Sequence, residues 1–201
     1  MISLIALLPS QLLAEKLKIV LPSEAPPIIS DYKSRFGVNN LPRRSRHQGM
    51  DIGGPAGMEI IAIAPGKVVE TDIGDCWGPT VVIDHGRDPS GKPLIAAYGH
   101  VGDIVVRTGQ NVKRGQLIAR LGDNAKDFRC IWGVRHLHLQ LGRQHRSGPK
   151  GTYWGHVKYL TDGKKGLNPH LYWADGPGKV TCFQPGKRYP AGTITYPTPC
   201  R

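Results

Sequence analysis

Polar and apolar residues alternate strictly in one short segment, residues 134–141, with the sequence VRHLHLQL. Successive side chains of an extended strand point to opposite faces, so His136 and His138 would share one face and three leucines the other. Two imidazoles would then stand side by side above an apolar layer. Neutral imidazole is a common metal ligand and proton carrier, and it also occurs on polar faces that have no catalytic role. The segment therefore predicts a strand, and only the rest of the chain can distinguish these roles.

Short runs of β-branched and aliphatic residues, separated by turn-forming residues, cover the middle of the chain. Glycine occurs 26 times and proline 17 times in 201 residues, without a periodic repeat, which suits many short strands joined by tight turns. No segment has the spacing of an amphipathic helix. The chain is therefore predicted to be mostly β, with few or no helices. The predicted strands are residues 60–63, 66–71, 80–84, 94–98, 112–119 (a turn followed by a strand) and 134–141.

The chain is strongly basic, with 27 Lys and Arg against 15 Asp and Glu and a formal net charge of +12. Such a charge indicates an anionic partner, which could be nucleic acid, an acidic membrane or a carboxylate-bearing polymer such as bacterial cell wall. The basic residues are scattered, and no nucleic-acid-binding motif is present. We therefore expect no nucleic-acid partner. A solvated basic surface is the simplest interpretation of the charge.

The four cysteines, Cys76, Cys130, Cys182 and Cys200, form no C-x-x-C pair, which argues against a zinc ribbon or a thioredoxin-like redox site. An even number without metal-binding spacing suggests disulfides and an oxidising compartment. Of the three possible pairings we favour Cys182 with Cys200 and Cys76 with Cys130. Four free buried thiols are the alternative.

Residues 1–14 include the apolar run ISLIALL and end in LLA, which resembles the end of a signal peptide with a short apolar region and no basic start. The run is far shorter than the ~20 apolar residues that span a bilayer, and no other stretch approaches that length. We therefore expect an exported protein without a transmembrane segment. Prolines in residues 15–30 indicate a leader or linker lying against the domain.

Two further segments contain side chains that are suited to metal chemistry. His47 and Asp51 are four residues apart, which places them on one face of a helix or a strand, and the following Gly53-Gly54-Pro55 favours a strand or extended turn. His100 directly follows a predicted strand. Zinc in a hydrolytic site typically takes three nitrogen or carboxylate ligands and leaves a fourth position to water. The candidates are therefore sufficient for a ligand set and a further pair: His47, Asp51, His100, His136 and His138.

The order and flanks of these residues resemble the lysostaphin- and LytM-type zinc metalloendopeptidases. The signature of that family is His-x-x-x-Asp, then a lone His after a strand, then His-x-His. Its pieces occur here in that order, as HQGMDIG at 47–53, IDHG at 83–86, YGH at 98–100 and HLH at 136–138. The resemblance spans about residues 35–142.

This resemblance implies a fold, a site and an activity. The fold would be an antiparallel β-sheet in an open, barrel-like sandwich. Zinc would be bound by His47, Asp51 and His138, while His100 and His136 would take the proton of the attacking water and stabilise the oxyanion or protonate the leaving amine, in an order left open. The activity would be hydrolysis of peptide bonds in peptidoglycan stem peptides or cross-bridges, in the periplasm or outside the cell. We expect the protein to be a monomer.

The domain division predicted with this resemblance has three parts. Residues 1–30 are a leader and linker, residues 31–174 are the zinc peptidase domain, and residues 175–201 are a disulfide-closed extension. The extension is predicted to contain a small hairpin that pairs residues 179–183 with 193–196.

The chain departs from the family pattern at one position. Members often place a Tyr shortly before the first zinc His as an oxyanion donor, but residues 38–46 contain none. Tyr32 is the nearest upstream, and Arg43, Arg44 or Arg46 could substitute, so this role is left unassigned.

Several other histidines and tryptophans receive simpler interpretations. His85 follows a strand, and the resemblance implies a fold residue at this position, so His85 is expected to be structural. Trp77 and Trp132 either line the groove or pack. Three histidines lie in polar segments and are expected to be solvated: His145, His156 and His170.

Two other functions compete with wall hydrolysis. Relatives that keep the fold and lose the metal residues act as non-catalytic regulators of other wall enzymes, and the intact set of five positions disfavours that function here. The second is a secreted protease that cleaves glycine-rich proteins.

Overall fold

The computed structural model describes residues 17–71, 78–122, 133–145 and 166–201. Its nine strands confirm the prediction of a mostly β chain. Within these ranges the single helical element is a 3-10 turn at Pro169–Leu171, and no helix is long and apolar enough to cross a membrane. The strands are β1 (Ile28–Ser30), β2 (Met50–Gly53), β3 (Glu59–Ile61), β4 (Gly66–Thr71), β5 (Thr80–Arg87), β6 (Pro93–Gly99), β7 (Asn111–Val112), β8 (Leu117–Arg120) and β9 (His136–Gly142).

Seven strands form one antiparallel sheet in the order β1-β2-β9-β6-β5-β4-β7, and β3 pairs with β8 in a second, small sheet. Strand β9, which contains the alternating histidines and leucines, lies between β2 and β6. Asp51 of β2 and Gly99 of β6 both pair with His138, one from each side. Strand β9 is therefore central in the sheet.

The two faces of β9 have the character that its sequence predicts. Leu137, Leu139 and Leu141 are fully buried in the main hydrophobic core. Burial of each such side chain contributes about 1.5–3 kcal/mol to folding, which fixes the register of the strand because a slip of one residue would move the histidines into the core. His136 and His138 consequently lie together on the opposite face.

The segment predicted to be a turn followed by a strand, residues 112–119, joins two different sheets. A turn at Lys113–Gln116, closed by the Gln116 N–H on the Lys113 carbonyl at 3.1 Å, separates β7 from β8. Gly115 in this turn has a φ of 75°, which favours glycine. Its missing side chain also makes room for the ring of Phe183, which a Cβ atom would strike.

Residues 28–30 are part of the sheet, although the sequence suggested a leader or linker there. Strand β1 pairs with β2 through Ile28 and Ile52, and the Gly53 N–H donates to the Pro27 carbonyl at 3.0 Å. Val20 forms a parallel bridge with Lys179. This three-residue strand is too short to show an alternating pattern in the sequence, so its pairing was missed. The division into domains at residues 30 and 174 stays a prediction.

The C-terminal residues 175–201 pack on the same core, and of the predicted hairpin one backbone hydrogen bond forms, from the Tyr196 N–H to the Thr181 carbonyl at 2.7 Å. Ile194 pairs in parallel with Trp173, while Thr195 N–H donates to the Ile63 carbonyl at 2.9 Å. Val180 and Tyr196 are buried in the core cluster. The competing partners Trp173 and Ile63 outside the tail therefore replace most of the expected pairing.

The predicted disulfide between Cys182 and Cys200 is confirmed, with Cα atoms 5.9 Å apart. It closes the C-terminal segment over the core. The second favoured pair, Cys76 with Cys130, lies outside the described residues.

His85 has the structural role expected from the sequence. Its Nδ1 lies 3.0 Å from the Pro65 carbonyl oxygen and therefore carries the proton, so Nε2 accepts from the Tyr98 hydroxyl, also at 3.0 Å. That hydroxyl in turn accepts the Ile63 N–H at 3.0 Å. Burial is the main cause that lowers the pKa of His85 to about 4, from an ordinary 6.5. The network requires a neutral imidazole.

This network predicts a loss of stability in acid. Between pH 6.5 and about 4 the unfolded chain binds a proton at His85 that the folded chain does not, so the free energy of unfolding falls as the pH falls through this window. The effect should reach about 2–3 kcal/mol by pH 4.5 and vanish above pH 7. Urea titrations of the metal-free protein at pH 7.5 and 4.5 would measure it. A His85→Gln variant, less stable at pH 7.5, should lose about 2–3 kcal/mol less on acidification, and an equal loss in both proteins would contradict the assignment.

Candidate metal centre

Three elements bring the predicted ligands together. His47 lies in the loop before β2, Asp51 lies on β2, and His138 lies on β9. Asp51 and His138 are directly opposite each other in the antiparallel pairing, so their side chains share a face. All three residues are buried, with 4%, 1% and 6% of their surface exposed. They form a group that could hold a metal ion.

The donor atoms of this group are spaced as a tetrahedral metal requires. The His47 Nε2 lies 3.2 Å from Asp51 Oδ1 and 3.1 Å from His138 Nδ1, and His138 Nδ1 lies 2.8 Å from Asp51 Oδ1. Ligands around zinc with bonds of about 2.0–2.1 Å are about 3.3 Å apart. Small outward shifts would therefore admit an ion without a change in the backbone.

Neighbouring acceptors hold both histidines in the tautomers that a metal needs. The Nδ1–H of His47 donates to the Asp31 main-chain carbonyl at 3.0 Å, which leaves a lone pair on Nε2. The Nε2 of His138 lies 3.4 Å from Gln140 Oε1, which leaves the lone pair on Nδ1. Both lone pairs point to the Asp51 carboxylate. Such outer contacts orient metal ligands and raise their basicity.

The charges of the three groups also suit a divalent cation. Burial would raise the pKa of Asp51, but the contacts with His138 and His47 hold that pKa well below its usual value. Burial lowers the pKa of His138, against the opposing effect of Asp51. One carboxylate and two neutral imidazoles are a donor set typical of hydrolytic zinc.

Arg43 is a site residue whose role the sequence did not predict. It was a candidate oxyanion donor, but its guanidinium donates to Asp51 Oδ2 at 2.8 Å. Ser30 Oγ at 3.2 Å and the Phe36 carbonyl at 3.1 Å hold the guanidinium in place. The contact occupies one carboxylate oxygen and leaves Oδ1 for the metal. The sequence offered three arginines in this segment, and only packing against β1 distinguishes Arg43 from the other two.

Gly49 allows the loop of His47 to approach β9. A Cβ atom at this position would collide with the Leu139 carbonyl oxygen and with the His138 ring. Any side chain here would push the loop away from the strand. The donor atoms of His47 and His138 would then also move apart.

The two predicted catalytic histidines lie beside the ligand group. The ring centroid of His100 lies 4.7 Å from that of His136 and 5.8 Å from that of His138. His100 has a φ of 63°, a conformation that is uncommon for a residue with a side chain and is often found at functional sites. The structure thus brings all five predicted residues together, while their roles as ligands and catalysts stay predictions.

His136 is held as a neutral base. Its Nδ1–H donates to the Val134 carbonyl at 2.6 Å, so Nε2 carries a lone pair, and this atom lies 3.8 Å from Asp51 Oδ1. Burial lowers the pKa of His136 despite the opposing effect of Asp51. A neutral imidazole on this face can accept a proton.

Of the histidines that the sequence placed in solvent, His170 is buried and His145 is partly buried. His170 is 2% exposed and contacts Asp31 and Trp173, and the side chain of His145 is 8% exposed and lies 2.8 Å from Glu70. The prediction failed because polar neighbours in sequence are a poor guide to tertiary burial. Three further residues with predicted positions lie outside the described ranges: Trp77, Trp132 and His156.

Tyr32 does not take the role of oxyanion donor in this structure. Its hydroxyl donates to the Gly166 carbonyl at 2.7 Å, and the Gly166 N–H donates to Gln48 Oε1 at 2.6 Å. These contacts fasten the chain at residue 166 to the loop of His47.

The sequence pattern of Peptidase family M23 matches residues 45–149, about half of the chain. The chain belongs to this family. All five candidate residues lie inside the matched range. The family resemblance drawn from the motifs is thereby confirmed, and the antiparallel β-sheet agrees with the fold that it implied.

Among curated relatives, this M23 chain is 37% identical to the lipoprotein NlpD/LppB homolog of Pseudomonas aeruginosa over 55% of its length and 32% of the relative's. It is 33% identical to the murein hydrolase activator EnvC of Escherichia coli over 55% of its length and 24% of EnvC's. It is also 33% identical to the peptidoglycan DD-endopeptidase ShyA of Vibrio cholerae, over 55% and 25% of the two chains. The match spans about a quarter to a third of each relative.

Among solved structures, the M23 chain is similar to the catalytic domain of the prophage-encoded M23 protein EnpA from Enterococcus faecalis, solved as a variant. The TM-score is 0.47 at 27% identity, over 78% of this chain and 97% of that domain.

The contact between Arg43 and Asp51 predicts a supporting role in metal binding. An Arg43→Met variant keeps the length of the side chain and removes the donors, so the carboxylate of Asp51 loses its orientation. We expect the affinity for zinc to fall about 10-fold or more, measured by competition with a chromophoric chelator.

Arg44→Met is the matched control, since Arg44 is the exposed neighbour. Equal zinc affinity of the Arg43 and Arg44 variants would disprove the supporting role.

Proposed function

We propose that this chain is a zinc endopeptidase that hydrolyses peptide bonds in peptidoglycan stem peptides or cross-bridges. The observation that carries the proposal is the convergence of His47, Asp51 and His138, with lone pairs directed inward, beside the pair His100 and His136. A regulator that only binds would not need the second pair. The family and the named endopeptidase relative support the same reaction class.

The ligand residues determine what the metal can do. His47 Nε2, Asp51 Oδ1 and His138 Nδ1 would hold the ion by three positions, which leaves an open position toward the substrate. When bound there, zinc supplies a Lewis acid that makes water a nucleophile near neutral pH and polarises a carbonyl group.

His136 would take the proton in this reaction. Its Nδ1–H is fixed on the Val134 carbonyl, so Nε2 is the atom free of a proton, and the pKa lowered by burial keeps it so at neutral pH. Asp51, 3.8 Å away, would stabilise the imidazolium that results.

His100 would act on the peptide substrate, either at the oxyanion or at the leaving amine. Its ring stands edge-on to His136, at an interplanar angle of 70°, so the two imidazoles present different atoms to one substrate. A protonated or N–H-bearing His100 can donate to the oxyanion or to the leaving amine. The φ of 63° fixes its direction.

The charge and the disulfide support the proposed substrate and location. A net charge of +12 favours a polymer that carries carboxylates. The disulfide Cys182–Cys200 favours an oxidising compartment, and we therefore propose export to the periplasm or cell exterior. The names of two relatives refer to murein or peptidoglycan, which supports the proposed substrate.

Two substitutions should separate metal binding from proton transfer. His138→Ala should lose both zinc and activity, because it removes a ligand. His136→Gln should keep about one zinc per chain and lose roughly 100-fold or more in kcat, because it removes the base and leaves the ligand set intact. Metal analysis together with release of peptides from purified wall would test both. Retention of stoichiometric zinc by the His138 variant would refute the ligand set.

A non-catalytic activator is the second candidate, and the relation to EnvC, named a murein hydrolase activator, favours it. The two candidates differ in their response to a chelator. Wall digestion by the purified chain alone should stop with a strong chelator and return with zinc. If the zinc-loaded chain releases nothing by itself but increases the digestion of wall by an added murein hydrolase, the activator is correct and the enzyme is not.

A further inference from the structure

A chain of hydrogen bonds runs from the C-terminal segment to the candidate ligand His47. The indole N–H of Trp173 donates to His170 Nδ1 at 3.1 Å. The His170 Nε2 contacts Asp31 Oδ1 at 2.8 Å. The main-chain carbonyl of Asp31 accepts the Nδ1–H of His47 at 3.0 Å. Three residues from two distant segments of the chain thus lie behind one ligand.

The indole of Trp173 determines which atom donates and which accepts in the two bonds of His170. An indole nitrogen can only donate, so Nδ1 of His170 must accept. A neutral His170 then carries its proton on Nε2, and Nε2 donates to the carboxylate of Asp31. His170 and Trp173 are each 2% exposed, so the bond between them is shielded from water, whereas the Asp31 side chain is 43% exposed. The buried indole therefore determines the tautomer of His170.

The turn at Asp31–Ser34 connects these hydrogen bonds to His47. The Lys33 N–H donates to the His47 carbonyl at 2.9 Å, and the His47 N–H donates to the Ser34 carbonyl at 3.0 Å. The Ser34 N–H closes the turn on the Asp31 carbonyl at 3.0 Å, the same oxygen that accepts from the His47 ring. The backbone and the side chain of His47 are thus both held by one turn.

The side chain of Asp31 fixes the orientation of that turn. Its Oδ1 accepts the Tyr32 N–H at 2.6 Å as well as the contact from His170. The carboxylate therefore links the buried His170 to the first residue after Asp31. If His170 is removed, the Asp31 side chain loses its only buried donor among the described contacts, and the carbonyl next to it loses a constraint.

We propose that His170 and Trp173 are positioning residues for the metal centre, acting through Asp31 to hold His47 in its metal-binding tautomer and orientation. The inference rests on the proposed function, in which His47 binds zinc. All three residues lie outside the range 45–149 that matches the family. The segment after β9 therefore contributes residues that position a ligand of the metal centre.

Packing of the C-terminal tail keeps Trp173 in position. Trp173 pairs with Ile194, and its ring lies 6.1 Å from that of Tyr196, centroid to centroid. The Ala174 N–H donates to the Ile194 carbonyl at 3.0 Å, and the Ile194 N–H donates to the Tyr172 carbonyl at 2.8 Å. The indole is consequently anchored in the core independently of the metal.

The positioning role differs measurably from a role in stability alone. A residue that only stabilises the fold would lower the free energy of unfolding of the metal-free protein and leave the zinc affinity of the folded protein unchanged. A positioning residue changes the zinc affinity of the protein that is folded. The decisive quantity is therefore the zinc dissociation constant of metal-free protein shown to be folded by circular dichroism.

The test uses the full chain and four variants. His170→Leu removes both contacts at similar volume, and zinc should bind about 10-fold more weakly. Trp173→Phe keeps the ring and removes the indole donor, and the loss should be smaller, about threefold. His170→Gln, whose amide can still donate to Asp31, should recover most of the affinity. Lys187→Ala is the control, since Lys187 pairs with Asp175 in the same tail without reaching His47.

Zinc affinity would be measured by competition with a chromophoric chelator, and the ring proton on His47 Nδ1 by NMR. In the wild type this proton should be shifted downfield and slow to exchange, and in His170→Leu it should exchange faster. Absence of zinc binding by the wild type would defeat the proposed function itself. Wild-type binding with unchanged affinity and unchanged proton exchange in folded His170→Leu would overturn the inference alone. If His170→Leu does not fold, Trp173→Phe decides: unchanged affinity overturns the inference, and weaker binding supports it.

Discussion

The pairing of Asp51 with His138 across β2 and β9 is the contact on which the site depends. It joins β2 to β9 inside the sheet, and its 2.8 Å contact is part of the ligand group. The leucines on the reverse face of β9 hold this register, because any slip would exchange the buried and polar faces. One face of β9 thus contributes leucines to the hydrophobic core, and the other face contributes His138 to the candidate metal centre.

Support for the ligand group comes from three directions. Arg43 holds Asp51 from the loop before β2, Gln140 lies beside His138 on the same strand, and Asp31 holds His47. Each supporting atom is a hydrogen-bonding partner of one ligand, so the donor atoms face inward before an ion is present. The desolvation cost of a buried carboxylate is offset by these partners.

The sequence predicted the parts of the fold and site that depend on local pattern. Strand β9 followed from the alternation at residues 134–141, and the five candidate residues followed from motifs with short spacing. The parts that it missed depend on contacts between distant segments. Strand β1 is three residues long and has no pattern of its own, and the burial of His170 arises only because Asp31 and Trp173 meet it in space. Tertiary contacts of this kind have no periodicity to detect.

The distance along the chain between His47 and His138 has a consequence for folding. Their contact closes a separation of 91 residues, and the contact of Asp31 with His170 closes one of 139. Contacts this far apart carry a large loop-closure cost and form late, after the strands between them have paired. A partly synthesised chain that ends before residue 138 has no ligand group at all. Any activity of the site would therefore begin only after synthesis has passed β9 and the sheet has closed.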